Sequence, residues 1–104
     1  MHRPIVLWVC LGNSAPVKGI TRETVGLTVK VSVLKRAAEK LAKESDLTIG
    51  TSARMIFHTD EYGDTPGIGG RLVDFDRLDQ SLELSIEIDE WDRLASFWDS
   101  VMRH

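Results

Sequence analysis

Residues 81–88 read Ser-Leu-Glu-Leu-Ser-Ile-Glu-Ile, an unbroken two-residue alternation. Leu82, Leu84, Ile86 and Ile88 share one side, and Ser81, Glu83, Ser85 and Glu87 share the other. Successive side chains of a strand point to opposite faces, so this stretch predicts a β-strand with one buried and one wet face. The period then changes. Asp89 stands where a helix N-cap belongs, Glu90 and Asp92 bring negative charge to a first turn, and Arg103 brings positive charge to a last turn. Trp91, Leu94, Trp98 and Val101 fall on one helical stripe, which Phe97 and Met102 widen.

The 104 residues leave room for one domain, spanning 1–104. A chain of this size buries about 60–70% of its unfolded surface. An apolar share of 42% beside 28% charged residues argues against wholesale disorder. Cys10 is the single cysteine, so no internal disulfide forms and nothing requires an oxidising compartment. His2 and Arg3 precede an apolar run, Ile5 to Leu11, as in a secretory leader. The run is short and rich in β-branched residues, and no small-residue cleavage site closes it, which predicts a buried strand instead. No segment approaches the roughly 20 apolar residues that span a bilayer. The expected location is cytoplasmic, with no membrane partner.

Ile5 to Leu11 is apolar at every position, the mark of a strand covered on both faces. Gly12 to Gly19, with Asn13, Ser14 and Pro16, reads as a loop. From Thr24 to Val33 alternation returns, with Val25, Leu27, Val29, Val31 and Val33 expected inward and Gly26 as a bulge. Ser32 can cap a helix from Val33 to Ser45 that carries Leu34, Ala37, Ala38, Leu41 and Ala42, with a Glu39–Lys43 pair outside. Leu47 to Thr59 reads as extended, and Leu72, Val73 and Phe75 as a short strand. Between them, Asp60 to Gly70 is a long glycine-rich connection and the expected functional loop. The order ββαβββα predicts an α+β fold: a curved, mostly antiparallel five-strand sheet with two helices, either two-layer or half-barrel. A doubly apolar first strand in such a sheet needs a second cover, which predicts a homo-oligomer.

Chemical motifs are sparse. Trp8 to Asn13 resembles the first strand and loop of low-molecular-weight protein tyrosine phosphatases, which implies Cys10 as a nucleophile. Pro16 stands where that chemistry needs an arginine, and it also removes a backbone N–H from the loop. Cys10 is therefore expected to be a structural thiol. Asp60, Glu61 and Asp64 near His58, and Asp74, Asp76 and Asp79, lack the spacing of a calcium loop, so no metal or other cofactor is expected. Gly63 to Gly70 lacks the Lys-Ser or Lys-Thr of a phosphate loop. Leu27 to Ser45 resembles the strand and helix of ribbon–helix–helix proteins, which implies DNA binding, but Thr48-Ile49-Gly50-Thr51 interrupts where their second helix starts. Residues 1–46 hold eight Lys and Arg against four acids, residues 47–104 five against twelve, and the net charge of −3 disfavours nucleic acid as a partner.

These residues point to a non-enzymatic binding or regulatory module acting as a homo-oligomer. Its expected partners are itself, and a protein or a small apolar ligand. The ligand-binding candidates are His58, Tyr62, Trp8 and Trp91, and the interface candidates are Trp8 and Phe97. A small enzyme using His58 and the acids of the 58–70 loop is the alternative. A nucleic-acid binder through Lys30, Lys35, Arg36, Lys40 and Lys43 is a second alternative.

Overall fold

A computed structural model of the chain describes residues 5–45, 47–59, 63–64 and 67–89. It runs β1 (Val6–Leu11), β2 (Val17–Val25), β3 (Thr28–Leu34), α1 (Lys35–Glu44), β4 (Ser52–Thr59), β5 (Gly63–Asp64), β6 (Ile68–Arg77) and β7 (Ser81–Ile88). Every strand pairing is antiparallel, in the order β1-β2-β3-β7-β6-β4, and β4 pairs back onto β1 from Leu7↔Phe57 to Leu11↔Ala53. That last pairing closes a six-stranded barrel. β5 is an extra two-residue strand, paired with His58 and Thr59 of β4.

The five-strand, half-barrel sheet with two helices is thus corrected to a closed six-strand barrel with one short additional strand and, among the described residues, one helix. The physical reason lies in β1. Leu7, Val9 and Leu11 point inward and are fully buried, and the curl of the sheet lets the barrel's own far wall cover them. The helix expected after Asp89, with Trp91, Trp98 and Phe97, lies outside the described residues.

The final strand follows its alternation throughout: Leu82, Leu84, Ile86 and Ile88 are buried. Upstream, the single strand expected over Thr24–Val33 is two strands joined at Gly26 and Leu27, with Val25 opposite Thr28. Gly26 has φ +60°, the left-handed conformation of a two-residue hairpin turn and not a bulge. Val29, Val31 and Val33 face the core as expected, but Val25 is 61% exposed and Leu27 is also exposed, because they sit at the hairpin's tip.

The loop expected over Gly12–Gly19 ends early, since β2 begins at Val17. Its inward positions hold Gly19 and Thr21 after Val17, which hides the alternation. Gly19 is required there, because a Cβ would lie 2.7 Å from Val31 Cγ1. Thr21 spends its polarity locally: its Oγ1 accepts the Ile5 N–H at 2.9 Å and its own N–H donates to the Ile5 carbonyl at 3.0 Å. The glycine-rich connection is likewise shorter than expected. Ile68, Gly69 and Gly70 are already in β6, where a Cβ on Gly70 would collide with the Glu87 carbonyl of β7.

α1 crosses one end of the barrel and drives Leu41, fully buried, into it, with Ala37, Ala38 and Leu47 against the same core. Ser32 is not its cap. Leu34 holds the N-cap position in extended conformation without a side-chain bond, and the Lys35 N–H donates to the Gln80 carbonyl of the β6–β7 turn at 3.0 Å. At the other end Glu44 Oε2 accepts the Ala15 N–H at 2.9 Å, tying the helix to the loop between β1 and β2.

Candidate functional site

The barrel interior is filled: Leu7, Val9, Leu11, Met55, Phe57, Leu72, Leu84 and Ile86 pack inside with no exposed surface. Small closed barrels of this kind are solid cores, so any site lies on the outer surface. Among the described residues, two outer features expose several apolar side chains.

The first is the outer wall of β1, β2 and β4. Odd positions of β1 point inward, which leaves Val6, Trp8 and Cys10 outward. The register sets Val6 beside Ile20, Trp8 between Lys18 and Ile56, and Cys10 beside Arg54. Trp8 and Ile20 are each 39% exposed, with Val6 half-buried beside Ile20 and Ile56 half-buried beside Trp8. Four large apolar side chains thus share one exterior face, rimmed by Lys18 and Arg54. Contiguous exterior apolar surface of this sort marks contact sites in folded proteins, whereas scattered single residues do not.

His58 occupies the outward position beyond Ile56 on β4, at the edge of that wall. Its Nδ1 lies 2.8 Å from Asp64 Oδ1 across the β4–β5 pair, and both side chains are largely exposed. The fold therefore brings Trp8 and His58 onto the same side of the barrel. The other two ligand-binding candidates, Tyr62 and Trp91, and the interface candidate Phe97 lie outside the described residues. Cys10 is the fifth of the six residues of β1, paired with Arg54 of β4, and so belongs to the strand and not to the loop that follows it. Burial pushes its thiol pKa above the ordinary value of 9.0, and the nearby Arg54 guanidinium offsets this only in part. A raised pKa opposes nucleophile chemistry.

The second feature is a groove between α1 and the β6–β7 turn, with a volume of about 450 Å³. Its apolar lining comes from Ala38 and Ala42 of the helix, Leu47 after it, Leu78 of the turn and Leu82 of β7. Lys35, Glu39 and Lys43 stand four residues apart along the helix rim, facing Arg77 and Asp79. Sequence reasoning named Lys35 and Lys43 only as part of a basic nucleic-acid-binding segment and placed no groove here. The signal was divided between a helix face and a turn more than thirty residues away, and only the fold makes them neighbours. A smaller polar cleft of about 280 Å³ opens at Gly12, Arg54, Gly69, Gly70 and Asp89.

Among the described residues, no group of three or more His, Cys, Asp or Glu side chains is arranged to hold a metal ion. None of the described helices is long and apolar enough to cross a membrane, a statement that does not extend to strands. The basic residues do not form one uninterrupted surface: Lys30 of β3 is ion-paired with Glu23 at 3.2 Å, while Lys35 and Lys43 flank Glu39 in the groove. No protein-family model matches the chain, and no curated protein matches it.

Proposed function

We propose that this chain is a non-enzymatic binding module that works as a homo-oligomer, and that its subunits meet through the wall carrying Trp8. The observation that carries this reading is the outward face of β1. Closure of the barrel covers Leu7, Val9 and Leu11, yet leaves Trp8 and Ile20 at 39% exposure with Val6 and Ile56 alongside them. Self-association removes that apolar surface from water at about 25 cal/mol per Å². Tryptophan is enriched at the centres of such contacts because it brings large area at little entropic cost. Lys18 and Arg54 at the rim leave the centre of the patch free of charge, as interface cores require. The alternative, a small enzyme using His58 and the acids of the 58–70 loop, draws on the exposed His58–Asp64 pair across the β4–β5 ladder.

Sedimentation equilibrium at tens of micromolar tests the proposal. The expected mass is a multiple of 11.7 kDa. Trp8→Glu should return the single-chain mass while leaving the thermal midpoint of the isolated subunit intact. A wild-type mass of 11.7 kDa at that concentration overturns it.

A further inference from the structure

The groove beside α1 exists because of a size mismatch. The helix turns Leu41 into the barrel, but the face next to β7 carries only Ala38 and Ala42. Two methyl groups do not reach the β6–β7 turn, so a slot remains over Leu82. Leu78 stands at the tip of that turn, a place that polar residues usually occupy. It is 49% exposed, and its open side faces the slot. Among the described residues, the apolar part of the lining is aliphatic, two alanines and three leucines, and the volume is at the low end of the roughly 300–1,000 Å³ of small-molecule pockets.

The rim sets the polarity of a guest. Lys35, Glu39 and Lys43 are spaced i, i+4, i+8 along one helix row, so Glu39 has a lysine on each side and one positive charge is in surplus. Across the slot, Arg77 and Asp79 balance each other in formal charge. The described lining therefore carries three positive charges against two negative ones, in a chain whose total is −3.

We infer that this groove binds a monoanionic amphiphile, an unbranched acyl chain lying along Ala38, Ala42 and Leu78 with its carboxylate at the lysine row. The site is separate from the Trp8 wall and stands whether or not the chain self-associates.

Decanoate, decanol and decyltrimethylammonium, each below its aggregation threshold, are the probes. They are titrated into the isotope-labelled full chain while amide shifts are followed. Decanoate should perturb Ala38, Ala42 and Leu78 most strongly. Its Kd should tighten, relative to octanoate, by about fourfold for each methylene that enters the groove. The cationic probe should bind about fivefold more weakly or worse, the scale of an exposed charge pair. Ala42→Phe, at an exposed helix position, fills the slot and should abolish binding with the thermal midpoint unchanged. Lys35→Gln with Lys43→Gln should weaken decanoate and leave decanol unaffected. Equal affinity for the anionic and cationic probes overturns the proposal. So do shifts centred on Trp8 and Ile20, unchanged binding in Ala42→Phe, or no binding at all.

Discussion

Cys10 illustrates how one residue's chemistry is set by its place on a strand. Read alone, Trp8 to Asn13 resembles a nucleophile loop; in the fold, the thiol sits in β1, one residue from its end, with Arg54 as its register partner on β4. Burial raises its pKa above 9.0, and Arg54 works in the opposite direction without cancelling the effect. Native protein should therefore react with iodoacetamide at pH 8 more slowly than urea-unfolded chain, and the two rates should converge as the pH is raised above 9. The same shift couples to stability. A thiol that holds its proton more tightly when folded contributes stability that is complete below the unfolded pKa. That contribution is lost as pH rises from about 9 through the folded value. Melting curves of wild type and Cys10→Ser between pH 8 and pH 11 check the sign: the wild type should lose stability relative to the variant. A relative gain would mean that Arg54 outweighs burial.

At the scale of elements, α1 packs onto the barrel core, and Leu41 is the fully buried side chain with which it does so. Leu41→Ala should cost about 2–5 kcal/mol, the range for emptying a fully buried leucine site. Urea denaturation should show this as a lowered midpoint with little change in slope. A loss below about 1 kcal/mol would place the helix outside the cooperative core. The sequence locates this helix to within two residues, through Leu41 and the alanines around it. It misplaces the start for a reason of energetics. The first turn has no side-chain cap, because the Gln80 carbonyl accepts the Lys35 N–H from a turn 45 residues downstream. A helix satisfied by a tertiary partner carries no local capping signal.

For the whole molecule, the decisive event is the pairing of β1 with β4. Gly12 donates its N–H to the Ser52 carbonyl, so the amides of Cys10 and Trp8, at the same parity, face β4. In an open sheet with β1 at its edge these amides would meet water. In the closed barrel they are bonded, and hydrogen exchange at Trp8 and Cys10 should be as slow as at Leu84 in β7. Exchange at the rate of the Leu78–Gln80 turn would show that the barrel opens at this seam. Closure pairs β1 with β4 and so removes the edge that an open sheet would offer at β1.

Local sequence was enough wherever a side chain's role depends only on its neighbours along the chain. The alternation of β7, the inward valines of β3 and the amphipathic core of α1 were all legible, because burial on one face imposes a period of two or 3.6. The apolar Ile5–Leu11 run was legible as a strand, but not that the subunit buries only its Leu7, Val9 and Leu11 side and leaves Trp8 exposed. β2 was hidden because Gly19 and Thr21 occupy inward positions where contact with Val31 and the Ile5 backbone, not hydrophobicity, selects the residue. Strand number, closure and the α1 groove were decided only in three dimensions. Each rests on pairs far apart in sequence, Leu7 with Phe57, Gly70 with Ile88, Ala42 with Leu78, whose proximity no local pattern encodes.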